Sequence, residues 1–272
     1  MIASTQNIKK RDHKNFIFTA IISIFIAMLT GFIILAITMI LLRGLPNLWS
    51  SLSTPEIRFS IKLSLITSVF STLLCILFSV PIAYGVVRLN FRGKEIINTV
   101  LDIPMALPPI VSGVALLLLF GNTSFGHYLE SIGLKFVFTT KGIILAQFFV
   151  NVPYMLRVLK STISDIDPRI EYVSRTLGCT RMQSFIKITL PLAKNGLIAS
   201  IVITWARALG EFGAALMIAG ATRLKTETLP VSLFLNMSTG DLKLAMASAT
   251  ILIIISMLSL LVFEVLGNKK II

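Results

Sequence analysis

Six long apolar runs, separated by short charged stretches, divide this chain of 272 residues. They cover roughly 16–42, 57–87, 96–120, 142–159, 196–219 and 244–266. A helix of about 17–25 apolar residues crosses the ~30 Å hydrocarbon core of a bilayer, and each run is long enough. A spanning helix satisfies its own backbone hydrogen bonds, so the expected fold is all-α: a polytopic membrane protein with six transmembrane helices. Composition agrees, with 55% of residues hydrophobic and only 14% charged, against roughly a quarter charged in soluble domains. Disorder, a collagen repeat and a disulfide-stapled secreted module are excluded on the same grounds. The first run exceeds the ~7–15-residue core of a signal peptide and lacks a small-residue cleavage site, so it reads as a retained helix.

A net charge of +13 suggests nucleic acid only if it forms a basic patch on a soluble surface. In a membrane protein it reports topology instead. Lys9, Lys10, Arg11 and Lys14 precede the first run, and Arg88, Arg92 and Lys94 lie between the second and third. Arg157, Lys160, Arg169, Arg175, Arg181, Lys187 and Lys194 fall between the fourth and fifth, and Lys269 and Lys270 follow the last. The opposite side holds only Arg43, Lys135, Arg223 and Lys225. The positive-inside rule therefore places both termini and the 160–195 loop in the cytoplasm of a cell membrane, with the lipid bilayer and no nucleic acid as partner. Cys75 and Cys179 are expected to be free thiols on opposite sides of a span boundary. With only His13 and His127 as imidazoles, no metal site is expected.

The loop between the fourth and fifth runs is too long for a plain connection and carries helix punctuation. Asp167-Pro168 reads as an N-cap followed by a first-position proline, and Ile170, Val173 and Leu177 recur on one face. Gly178 supplies a stop, and Thr180 with Gln183 forms a capping box for a second helix ending near Pro191. An apolar-faced helix pair outside the bilayer needs either the membrane surface or a protein to cover it.

The stretch Glu171-Tyr172-Val173-Ser174-Arg175-Thr176-Leu177-Gly178, then nine residues, then Ile188-Thr189-Leu190-Pro191, resembles the EAA loop of ABC importer permeases. The opening departs from the family's acidic-Ala-Ala pattern at Tyr172, Val173 and Ser174, while the glycine and I-x-L-P keep their spacing. Arg207-Ala208-Leu209-Gly210-Glu211-Phe212-Gly213-Ala214, with Lys225-Thr226-Glu227-Thr228-Leu229-Pro230, resembles the molybdate and sulfate permeases, closest to the molybdate branch. The resemblance implies a type I ABC importer transmembrane domain over 57–268, after an N-terminal segment and first helix over 1–56. It implies a permease homodimer, two copies of a cytoplasmic ATP-binding subunit and an extracytoplasmic oxyanion-binding protein. It further implies that Glu171, Val173, Leu177, Gly178, Ile188, Leu190 and Pro191 couple to the ATPase. The transported oxyanion would be molybdate, with tungstate, sulfate or thiosulfate as alternatives.

No G-x-x-x-x-G-K-[ST] phosphate loop occurs, so no cofactor is expected in this chain and ATP hydrolysis would belong to a partner. No Ser-His-acid or HExxH arrangement suggests an enzyme. Arg207 and Glu211, four apart in the fifth run, would meet on one helix face either as a gate for the anion or as a structural ion pair. Gly210 and Gly213 would leave room beside them. Pro104, Pro108 and Pro109 would bend the third run near Asp102, and the 222–236 loop would be open to the binding protein on the far side. A self-contained secondary transporter is the rival class, but it predicts inverted repeats that the sequence does not show.

Overall fold

In the computed structural model, the backbone of residues 2–267 and the side chains of residues 18–261 are described. Lys9, Lys10, Arg11, Lys14, Lys269 and Lys270, which carry part of the topology argument, lie outside the described side chains, as does His13. Helices account for every regular element among the described residues. The long ones are α1 (Ile2–Ser51), α2 (Pro55–Arg88), α6 (Thr140–Ser164) and α13 (Leu242–Gly267). These four are long and apolar enough to cross a membrane unaided. The expected six is reached only if each of two bent helix pairs counts as one span.

The first bend is where the prolines place it. Helix α3 (Lys94–Ala106) contains Pro104 and stops at Leu107, and α4 (Pro109–Gly121) starts after Pro108. Residues preceding proline are driven to extended ψ, and Leu107 and Pro108 take ψ values of 141° and 136°. The two axes consequently meet at 110°. The second bend, of 72°, joins Arg181–Leu192 to α10 (Lys194–Leu209).

The fifth apolar run is not one helix. α10 ends at Leu209, and a separate short α11 (Gly213–Ala219) follows an irregular Gly210–Phe212 link. Its Gly213 end is capped by the Glu211 carboxylate, which accepts a hydrogen bond from the Ala214 amide at 2.9 Å. The chain then passes through 220–228 into α12 (Leu229–Ser238), which packs against α2 and α13. The short α5 (Ser124–Ser131) links α4 to the approach of α6.

Close packing along α2 organises the bundle. Ser60, Ser64, Ser68, Ser71, Cys75, Ser79 and Ala83, spaced by three and four, are wholly buried on one face. In lipid, helices gain little from hydrophobic burial against one another, and small residues help by letting backbones approach. Helix α6 takes that face, bringing Met155, Leu156 and Leu159 onto Cys75 and Ala83. A second cluster unites Leu63, Leu116, Ile143, Ala146, Ala214 and Ile218. Here α4 and α11 nearly touch, since a Cβ on Gly113 would lie 2.6 Å from the Ala214 carbonyl oxygen and 2.7 Å from its Cα.

Two expectations change. The 222–236 segment is not an open loop: Thr226 to Ser232 and Asn236 are buried, and Leu229 N donates to Ser64 Oγ of α2 at 2.7 Å. A buried Glu227 fastens the turn by accepting from Arg223 (3.2 Å) and from Leu224 N (3.1 Å). Arg157 and Lys160 belong to α6 rather than to the basic loop, because the helix continues to Ser164. Cys75 and Cys179 are free thiols.

The glycine contact is testable. Gly113→Val should lower the thermal stability of detergent-purified protein by the equivalent of about 1–3 kcal/mol, the usual cost of overpacking. Gly31→Val, where nothing lies within 4 Å, should not lower it.

Candidate functional site

The 165–193 loop is built by local chemistry as the sequence suggests. Asp167 Oδ1 accepts from Arg169 N at 2.9 Å, and Pro168 opens α7 (Pro168–Thr176). The helix stops in a Schellman arrangement: Gly178 N donates to Arg175 O and Cys179 N to Ser174 O, both at 3.1 Å. Gly178 holds φ at 96°, a region open to glycine and unfavourable to other residues. Thr180 and Gln183 cap one another's amides around α8 (Arg181–Ser184). A five-residue π-type stretch, Phe185–Thr189, and the single turn α9 (Leu190–Leu192) follow.

One carboxylate ties this hairpin to the membrane bundle. Glu171, buried on the inner side of α7, forms an ion pair with Arg88 at the end of α2, Nε to Oε1, at 2.8 Å. Thr189 Oγ1 donates to the same oxygen at 2.8 Å, and Tyr84 Oη donates to the other at 2.9 Å. Arg88 also donates to the Ile166 carbonyl at 2.7 Å. Burial pushes the Glu171 pKa up, but the hydrogen bonds from Arg88, Thr189 and Tyr84 and the Arg88 charge outweigh it. The carboxyl is held below the ordinary glutamate range. Ser174 Oγ donates to Ser184 Oγ at 2.8 Å, closing α7 onto α8, and Tyr84 packs on Phe185 with ring centroids 4.5 Å apart.

The other face of the hairpin is bare. Ile170, Tyr172, Val173, Leu177, Met182 and Ile186 are exposed, Leu177 at 80%. Among the residues that the family resemblance marks for coupling, Val173, Leu177, Gly178 and Pro191 are exposed, and Ile188 and Leu190 are half-buried. Glu171 faces inward, away from that surface. Beside it, Tyr84, Arg88, Tyr172, Arg175 and Arg181 line a cleft of about 60 Å³.

In the fifth run the structure separates the pair that spacing suggested. With α10 ending at Leu209, Glu211 is off the helix, buried, and engaged with the Ala214 amide. Arg207 is exposed and lies over the Tyr154 ring of α6, its Cζ 3.6 Å from the centroid. No Arg207–Glu211 ion pair forms among the described residues. The i, i+4 rule holds only for continuous helix, and the flanking Gly210 and Gly213 release the chain between them. Gly213 itself admits α4 closely, a Cβ there lying 3.1 Å from Pro109 Cβ. Gln147 and Asn151 of α6 are buried beside this link. Gln147 Nε2 donates to Ala208 O at 2.8 Å, and Asn151 Nδ2 to Gln147 O at 2.7 Å.

Sequence reasoning missed Arg88 and Tyr84 as partners of Glu171. They lie more than 80 positions away, and an arginine just after an apolar run reads as a topology signal. It also missed the buried Glu227, for which a lone acid within an otherwise uncharged T-x-T-L-P stretch was the available cue.

A multi-helix bundle with two broken helices and a rigid, apolar-faced hairpin at one end defines the membrane subunit of a transporter. Across 97% of the chain the fold matches a solved bacterial ABC transporter that imports alginate (TM-score 0.75, 16% identity, 98% of that chain covered). Residues 76–270 match the model of the binding-protein-dependent transport system inner membrane component, and the chain belongs to that family. It is a multi-pass membrane protein. The molybdenum transport system permease protein ModB of Mycobacterium tuberculosis is 36% identical over 217 residues, 79% of this chain and 82% of that protein. The sulfate transport system permease protein CysT of Salmonella typhimurium is 31% identical over 222 residues, 81% and 80% of the two chains.

The clamp predicts a pH response. Because the folded Glu171 carboxyl titrates below its ordinary value of 4.5, its stabilisation is full above that value and is lost as pH falls through the lower folded value. Hydrogen exchange of the 168–190 amides in the purified protein should accelerate over that acid window. Glu171→Gln should be fast already at neutral pH, with a local loss of about 3 kcal/mol as Arg88 is left buried without its partner.

Proposed function

We propose that this chain is the permease of an ATP-driven importer whose cargo is a tetrahedral oxyanion, molybdate first, with the 165–193 hairpin as its docking element for a separate ATPase. The observation that carries the docking reading is the pairing of a bare apolar face with an inner side fixed by Glu171. Six exposed apolar side chains on a solvent-facing hairpin need a groove to enter, and a rigid hairpin transmits force where a floppy one absorbs it. Val173 and Leu177 are the anchors, Gly178 lets the backbone approach closely, and Ile188, Leu190 and Pro191 fix the second arm. Glu171 acts from within, holding α7 to α2.

Two copies of this permease would pair with two ATP-binding subunits on the cytoplasmic side, where the positive-inside count puts both termini and the hairpin. A loaded binding protein would dock on the opposite face through the exposed Thr222 to Lys225 and neighbouring loops. ATP closes the ATPases, the hairpins move together, and the clamp passes that motion into α2 and the helices packed on it. The bundle alternates between outward and inward access, shifted only by each ligand's differential affinity for the two states. The substrate reading is supported by the ModB and CysT relatives, permeases of a molybdenum and a sulfate transport system.

Leu177→Cys in the assembled transporter should crosslink to a cysteine in the ATPase groove, and Leu177→Asp should lower ATPase co-purification about tenfold or more, the scale of a lost buried anchor. An active complex that never crosslinks removes the docking assignment. Cargo is decided by uptake into cells carrying the whole transporter, with labelled molybdate competed by tungstate, sulfate and thiosulfate. Molybdate and tungstate should compete at lower concentration than sulfate.

A further inference from the structure

Arg207 is not the only cation on its face of the bundle. Tyr154, over which it lies, is followed one helical turn later by Arg157 and one turn after that by Lys160, all on α6. Side chains three apart on a helix are neighbours, so the four groups form a continuous file along α6 toward the hairpin end.

Their electrostatic states differ along the file. Lys160 is paired, with its ammonium 3.6 Å from Asp102 Oδ1 and donating to Asn98 Oδ1 at 3.2 Å, both on α3. Arg157 and Arg207 are exposed and join no ion pair among the described residues. Arg157 donates to Met105 Sδ of α3 at 3.7 Å, and a thioether is a weak acceptor that leaves a guanidinium's other donors free. Arg207 has the Tyr154 ring instead, which attracts the cation without consuming any of its hydrogen bonds.

Position sharpens the point. Arg207 lies in the last turn of α10, thirteen residues beyond Lys194 and so roughly 20 Å along the axis from the hairpin end. Within a bundle read as crossing the bilayer, a guanidinium that joins no ion pair is costly against lipid and belongs in a water-filled route or an enclosed interface. Arg157 lies seven residues from the end of α6 and turns toward α3 instead of extending to the helix end.

We propose that Arg207 and Arg157 are two successive anion stations on the transport route, with Lys160–Asp102 marking where the attraction ends. This rests on the oxyanion-importer reading and adds to it a route residue, Arg157. A dianion meets unpaired donors at Arg207, hands over to Arg157 one turn along, and then reaches a cation already cancelled by its own carboxylate, where it is released. Tyr154 keeps the Arg207 guanidinium aimed along the file while its donors stay available. Two weakly committed sites in series admit and discharge an ion, whereas one fully paired site would do neither.

The test uses the complete transporter, with permease, ATPase and binding protein, in proteoliposomes supplied with labelled molybdate. Arg157→Gln should cut molybdate moved per ATP hydrolysed about tenfold, the scale of one charged hydrogen bond, while ATPase activity stimulated by the loaded binding protein stays within about twofold. Arg157→Lys should recover much of the loss. In the same assembly Arg157→Cys should react with an anionic methanethiosulfonate, and molybdate should slow that reaction where chloride does not. Unchanged transport in Arg157→Gln, equal falls in transport and ATPase activity without rescue by lysine, or an unreactive Arg157→Cys each overturn the station at Arg157. Wild-type vesicles that accumulate no molybdate, tungstate or sulfate overturn the cargo reading itself, an outcome separate from wild-type uptake with an indifferent Arg157.

Discussion

The arrangement depends on how closely α6 can approach α2. Lipid tails offer no hydrophobic gain for helix association, so contact must come from surfaces that fit. The file of serines, Cys75 and Ala83 on α2 is such a surface, with no side chain large enough to hold a neighbour away. Once α6 is seated there, the positions of Tyr154, Arg157 and Lys160 follow, and so does the junction from which the 165–193 hairpin emerges beside the end of α2. Arg88 then meets Glu171, and the hairpin becomes an extension of the bundle rather than a tethered appendage.

That clamp has an energetic logic suited to transmission. A buried carboxylate with one donor would be a liability; with Arg88, Thr189 and Tyr84 all engaged it is cheaper to keep than to break. Its three donors come from both the membrane helix and the second arm of the hairpin. A push on the exposed Val173–Leu177 face therefore reaches α2 through bonds that resist opening. The helices of the bundle are broken elsewhere, at Leu107–Pro108 and at Gly210–Phe212.

Much of the hairpin was legible from residues alone. Asp167-Pro168, Gly178 and the Thr180–Gln183 box are signals whose physics is complete within a few residues, and each occurs in the structure with the expected geometry. The direct Arg207–Glu211 contact expected from spacing is absent for the opposite reason. Its premise was a continuous helix, and two nearby glycines allowed a break that placed the acid on the Ala214 amide and the base on Tyr154. The 222–236 loop misled in the same way, since Thr226 accepts from Thr222 N and donates to Gly220 O, and Glu227 accepts from Leu224 N and Arg223, so both are partnered while buried.

Residue order alone makes the chain helical and membrane-crossing, because apolar length and the absence of water in lipid permit little else. It also determined where the hairpin's helices start and stop. Which charges meet depends on how the helices pack. Ion pairs join residues such as Arg88 and Glu171, 83 positions apart, and their partnership exists only once α2 and α7 are in place. The same holds for Arg157, which reads as a loop cation by position and belongs to α6 because that helix continues beyond it to Ser164.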